Sequence, residues 1–167
     1  DFNPSTLTVP MLQHSDLFRK IYLDESILIL IAHYMNMVPQ LGEAYVRRNF
    51  PAPYRTMNHY WHRDLNHHSH LLKVFIFLTD CNDDNGPHEY IKGSCTNADQ
   101  LMTLNGQRYY NDEDVDKAYP LGNSNRIVSH VSAGTVIIED TRGLHRANIP
   151  KNSYRDLGYA IFAPILE

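Results

Sequence analysis

The stretch Leu71-Leu72-Lys73-Val74-Phe75-Ile76-Phe77-Leu78-Thr79 leads through Asp83-Asp84-Asn85-Gly86 into His88-Glu89-Tyr90-Ile91. Branched and aromatic residues dominate both flanks, and the polar cluster ending in Asn-Gly is turn chemistry. The pattern predicts a strand over residues 71–79, a turn, and a second strand over 88–91. The same alternation of short apolar runs and turn clusters extends outward. It predicts strands over residues 44–49, 56–62, 126–130, 135–140 and 154–163. Turn signals between them include Pro51-Ala52-Pro53, Ala133-Gly134 and Pro150-Lys151-Asn152-Ser153. Many short strands with regular turns predict a mainly β sandwich or barrel, whose open mouth would hold a ligand.

The first forty residues read differently. Leu12, Leu17, Phe18, Ile21 and Tyr22, then Leu28, Leu30, Ile31 and Met35, recur at helical spacing. Asp24 is a cap for the second helix, which Pro39 and Gly42 end. These helices are expected to pack on one sheet. Residues 96–125 interrupt the strand pattern. They read as an insertion and a lid, with a short helix near 99–104 and a polar segment over 111–116. The expected organisation is one domain over 1–167, with a helical cover over 1–42, a jelly-roll core over 43–163 and the insertion within it.

Composition bounds the function. The chain has 167 residues, 43% hydrophobic and 20% charged, with a formal charge of −4. That is a globular composition without a basic footprint for nucleic acid. No apolar segment spans a bilayer, and no secretory signal is present, so the expectation is a cytoplasmic protein with no membrane or protein partner. The first residue is Asp1 rather than Met, so a trimmed or processed chain is among the readings. Cys81 and Cys95 are too few and wrongly spaced for a disulfide framework or a zinc site, and read as reduced thiols. The ten histidines are the unusual count. His67, His68 and His70 read as solvated loop residues.

The chemistry begins at Tyr60-Trp61-His62-Arg63-Asp64. Residues two apart on a strand share a face, so His62 and Asp64 project together, with Tyr60 on the same side. Alone, such a triplet reads more readily as a half-exposed His and a turn Asp at a strand end. A third ligand is available in His145, which follows a turn and a buried strand over 134–140. Two histidines and one carboxylate leave metal positions open, the facial arrangement used by iron(II) oxygenases. Arg155 lies ten residues beyond His145. Aimed inward, it would be a costly buried charge unless a dicarboxylate paired with it. Aimed outward, it would be an ordinary surface residue. Phe75 and Phe77 share a strand face with Lys73, and read as pocket lining or as a core stripe.

These residues together resemble the phytanoyl-CoA dioxygenase family of Fe(II)/2-oxoglutarate oxygenases. The resemblance rests on 60–64, on 72–80, on Asp84-Asn85-Gly86-Pro87 through Ser94, and on 134–155. It covers roughly residues 43–163. It implies a double-stranded β-helix, a jelly-roll or cupin-like barrel, with iron held by His62, Asp64 and His145. It also implies 2-oxoglutarate as cosubstrate, its far carboxylate on Arg155, and O2 as oxidant. Asn49, in Arg47-Arg48-Asn49, would help hold the iron-proximal carboxylate. The implied reaction is hydroxylation of a small molecule, with 2-oxoglutarate decarboxylated to succinate. Two departures stand out. Cys95 replaces the His that usually closes the turn after Ser94, and Ala147 replaces a Ser that often supports the Arg. Asp64 is retained, which favours hydroxylation over halogenation. The competing expectation is a non-catalytic or cupin-like barrel that binds a metal or small ligand.

Overall fold

The computed structural model describes residues 6–64, 71–95 and 107–164. Among the described residues, ten strands form two five-stranded antiparallel sheets. The first sheet has the order β1-β2-β10-β4-β8, with β1 Thr6–Pro10, β2 Gln40–Asn49, β4 Leu72–Phe77, β8 Val136–Asp140 and β10 Arg155–Ala163. The second has the order β6-β3-β9-β5-β7, with β3 Trp61–His62, β5 His88–Ile91, β6 Tyr109–Tyr110, β7 Arg126–Val128 and β9 His145–Ala147.

Helices α1 (Asp16–Tyr22) and α2 (Glu25–Met35) cover the outside of the first sheet. Ser15 caps α1 by accepting from Phe18 N, and Asp24 caps α2 by accepting from Ser26 N at 2.9 Å. The α2 helix stops at Asn36, whose left-handed backbone (φ 54°) donates to Ala32 O. Tyr22, Ile31 and Met35 pack with Ala44, Leu72, Val74, Ile76, Ala160 and Phe162. Alternation then dictates the other face. On β4 it turns Lys73 and Phe75 inward, and on β10 it turns Arg155, Leu157, Tyr159 and Ile161 inward.

The expected double-stranded β-helix barrel is not what forms. No ladder closes either sheet among the described residues; β1 and β8 remain edges of one, β6 and β7 edges of the other. Closure requires continuous strand pairing around the ring, and β3 and β6 are only two residues long. Side chains join the sheets instead. Phe75 of β4 meets His88 of β5 with ring centroids 5.3 Å apart, and His88 Nε2 lies 2.7 Å from Glu139 Oε2 of β8.

Other segments also differ from expectation. Residues 6–10 are a strand, not part of a helical cover; Thr6-Leu7-Thr8-Val9 is an alternating edge segment ended by Pro10. Residues 57–59 form a 3-10 turn rather than the start of a strand. The polar segment at 111–116 belongs to helix α3, Asp112–Ala118, capped by Asn111 accepting from Asp114 N at 2.8 Å. The short helix expected at 99–104, much of the lid, and His67, His68 and His70 lie outside the described residues. Cys81 and Cys95 are unpaired. No described helix is long and apolar enough to cross a membrane.

Gly86 ties the β4–β5 turn to the segment after β9. It adopts φ 75°, and an added Cβ would lie 2.3 Å from Asn148 O and 2.7 Å from Pro150 N. Both obstacles are backbone, so neither can swing aside. Gly86→Ala is expected to lower unfolding free energy by about 3 kcal/mol or more. Urea denaturation checks this, and a loss below about 1 kcal/mol would show that the turn is free to move.

Candidate metal centre

His62 of β3 and His145 of β9 are direct cross-strand partners, with ring centroids 4.1 Å apart. Their pairing puts two imidazoles on the inner face of the second sheet. Asp64 follows β3, and its N donates to Thr141 O at 2.8 Å. Between them, Arg63 turns away and donates through Nη1 to Ser94 O and Arg142 O, both at 2.7 Å. That clasp holds the chain on either side of the carboxylate. One donor atom from each of His62, Asp64 and His145 lies within 4.8 Å of the others.

The histidine tautomers follow from their partners. His62 Nδ1 is 2.9 Å from Tyr60 O, and His145 Nδ1 is 2.9 Å from Gly143 O. A carbonyl can only accept, so each Nδ1 carries the hydrogen and each Nε2 offers a lone pair. Burial pushes the His62 pKa down, and pushes that of His145 well below the ordinary imidazole range. Burial alone would raise Asp64. The Lys73 ammonium and His145 outweigh it and hold Asp64 at about 2. All three donors are therefore unprotonated near neutral pH, the form a metal requires.

A cavity of about 340 Å3 lies between the sheets, lined by His62, His145, Lys73, Phe75, Asn49 and Arg155 among others. Arg155 is 1% exposed. Its Nη2 reaches Asn49 Oδ1 at 3.4 Å, while Nε and Nη1 have no hydrogen-bond partner. Burial, with some repulsion from Arg47, pushes its pKa down to about 10. Ala147 lines the cavity where a Ser was noted as usual, and Asn49 supplies the polar contact to Arg155. Ser153 and Tyr154, just before Arg155, are exposed, and Tyr154 stacks on Arg48.

The structure thus gathers six of the eight singled-out residues: His62, Asp64, His145, Arg155, Asn49 and Phe75. Phe77 packs behind the cavity with Cys81 and Leu157. Tyr60 is 41% exposed and its ring lies against Arg55, while its carbonyl oxygen meets His62 Nδ1. Sequence reasoning passed over Lys73 and Glu139 as site residues. Lys73 shares the strand parity of Phe75, which was the available signal. Glu139 becomes its neighbour only through the β4–β8 register. A larger groove, about 1060 Å3, runs past Arg55, Glu89, Arg126 and Arg146; it contains none of the triad and shares only His59 with the inner cavity.

A family model described as phytanoyl-CoA dioxygenase (PhyH) matches residues 5–151. Among solved structures, HygX from Streptomyces hygroscopicus with nickel and 2-oxoglutarate bound is 18% identical. The match has TM-score 0.67 and covers 98% of this chain and 71% of that one. AviO1 from Streptomyces viridochromogenes Tue57 is 22% identical with TM-score 0.64, covering 99% and 70%. SnoK, described as a non-haem α-ketoglutarate-dependent carbocyclase from nogalamycin biosynthesis, is 20% identical with TM-score 0.66, covering 94% and 62%. At these identities the likeness is one of fold. No curated protein matches the chain.

Acid should weaken the folded chain through its buried imidazoles. His59 is held at about 4, and His62 and His145 are also lowered, so the folded state keeps them neutral where the unfolded state protonates them. The unfolded state then binds more protons, and stability falls as pH drops through about 6.5. The depressed Asp64 acts in a lower window, its contribution lost only as pH falls toward about 2. Thermal unfolding of the metal-free chain should show a falling midpoint from about pH 7.5 to about pH 5. A flat profile would mean these rings are solvated.

Proposed function

From membership of the phytanoyl-CoA dioxygenase family, to which this chain belongs, we infer a non-haem Fe(II)/2-oxoglutarate-dependent oxygenase acting on a small molecule. His62, Asp64 and His145 hold the iron. Two neutral imidazoles and one carboxylate suit Fe(II), and three protein donors leave positions for a chelating cosubstrate and O2. Bound there, iron with 2-oxoglutarate and O2 supplies hydroxylation of a carbon–hydrogen bond, the cosubstrate leaving as succinate and CO2.

The observation that carries this reading is Arg155. A fully buried guanidinium with two unpartnered nitrogens is unfavourable unless a carboxylate meets it. It lines the same cavity as the two histidines, so a dicarboxylate extending from the iron would meet it. Asn49 orients the guanidinium from the neighbouring strand. A cupin-like metal site has no need of that charge. HygX, described with iron bound and with nickel and 2-oxoglutarate bound, supports the same metal and cosubstrate here. SnoN is described as an epimerase, so one fold serves more than one oxidative outcome. Retention of Asp64 favours hydroxylation for this chain.

Anaerobic addition of Fe(II) and 2-oxoglutarate should give the weak visible charge-transfer band of the chelate. Arg155→Met should raise the 2-oxoglutarate concentration needed for that band by on the order of 30-fold or more, since a desolvated charge pair is lost. It should leave iron binding in place and raise the melting temperature of the ligand-free chain, because an unpaired buried charge is removed. Bound iron with no band in the wild-type chain would overturn the cosubstrate assignment.

A further inference from the structure

Lys73 sits on the inner face of β4, and its ammonium is bonded to Asp64 Oδ2. That oxygen is also the Asp64 atom nearest His145 Nε2, at 3.7 Å. A metal held between Asp64 and His145 in this geometry takes the oxygen that Lys73 holds. Two cations on one carboxylate oxygen in a half-desolvated cavity repel each other strongly. Among the described residues, no acidic side chain lines the cavity to receive a displaced ammonium.

The acceptor lies one strand over. Glu139 on β8 is the direct cross-strand partner of Lys73. It is 6% exposed. Its Oε2 meets His88 Nε2 at 2.7 Å, while its Oε1 has no hydrogen-bond partner and lies 3.9 Å from His145 Nδ1. Cβ atoms of such a pair are about 5 Å apart, well within the span of a lysine stem. On the other side of Lys73, β10 presents only Ile161. A buried carboxylate oxygen lacking a donor is unfavourable in the same way as a buried unpaired cation.

Resting on the metal-site reading above, we propose that Lys73 is a movable counter-cation: it neutralises Asp64 before metal binds and passes to Glu139 when metal takes Asp64. The metal-free site then keeps its carboxylate ionised and in place without a metal. Metal affinity is set by the exchange of one ion pair for another, and Lys73 and Glu139 act as positioning residues that leave the metal's open positions free.

The test is Co(II) binding to the metal-free chain under argon, followed by visible absorption and by thermal unfolding. Lys73→Met should lower the melting temperature of the metal-free chain and tighten Co(II) binding by about tenfold, because Asp64 no longer has a competing cation. Glu139→Gln should weaken Co(II) binding by about tenfold in the wild-type background and leave it unchanged in the Lys73→Met background. Lys73→Arg, which keeps the charge, should preserve the response to Glu139→Gln. Where Lys73→Met does not fold, Lys73→Gln takes its place in the cycle. Equal weakening by Glu139→Gln in both backgrounds would mean that Glu139 acts through His145, and overturns the proposal. Weaker binding in Lys73→Met overturns it as well. A wild-type chain that binds no Co(II) overturns the metal site itself and this role with it; wild-type binding with additive effects overturns only the role of Lys73.

Discussion

The structure turns on a positive charge that the fold does not let escape. Arg155 is buried at the start of β10, with one long contact to Asn49 and two nitrogens without partners. Its orientation is imposed from the opposite face. Gly158, Ala160 and Phe162 on the same strand point toward the helices, where Ala160 and Phe162 join the largest apolar cluster. Gly158 has no side chain because Tyr22 Oη would lie 2.8 Å from its Cβ. Turning Arg155 outward would mean slipping the strand by one residue and exposing that whole set. Burial of the apolar face stabilises the fold and, by strand parity, holds the guanidinium inside.

The same parity sorts chemistry between the sheets. The first sheet sends cations inward: Arg155 from β10 and Lys73 from β4, with Arg47 from β2 at the cavity edge. The second sends imidazoles: His62, His88 and His145. Burial lowers the pKa of two of these rings and so keeps them uncharged against that positive wall. An anion is thereby favoured across the cavity and a metal at its far end, with Asp64 the one carboxylate of the triad between them.

How much of this was legible depended on sequence distance. The β4 alternation is local: it put Lys73, Phe75 and Phe77 on one strand face, and left open whether that face was pocket or core. The His62, Asp64 and His145 set was readable because two members share a short stretch and the third follows a clear strand. The barrel that the resemblance implied does not close, and the pairing of distant two-residue strands leaves no local pattern from which that could be read. Residues 6–10 were read with the helical run that begins just after them, although their Thr-Leu-Thr-Val alternation is that of a strand. The acidic run Asp112-Glu113-Asp114 behind Asn111 was a helix start read only as a polar segment. Tyr60 was misplaced by parity because the 3-10 turn at 57–59 ends immediately before it. The Lys73–Glu139 relation needed the register of two strands more than sixty residues apart.

The ligand geometry is finally held from outside the cavity. Trp61 and Arg146 adjoin His62 and His145 in sequence, so alternation turns them to the outer face. The Arg146 guanidinium lies 4.7 Å from the Trp61 ring centroid and that of Arg126 lies 5.1 Å from it. Arg146 donates to Glu89 Oε1 at 2.8 Å and to Asp112 Oδ1 at 2.7 Å, and Arg126 donates to Glu89 Oε2 at 3.1 Å. Glu89 lies on β5, beside β9, and its carboxylate is held ionised, burial notwithstanding, by Asn148 and the two arginines. This lattice joins β3, β9, β5, β7 and α3 on the face away from the metal. Short strands have few ladder bonds of their own, so their register rests on such side-chain contacts. The two imidazoles keep their spacing because their outward neighbours cannot shift without breaking buried ion pairs, which is costly when one partner is left unpaired.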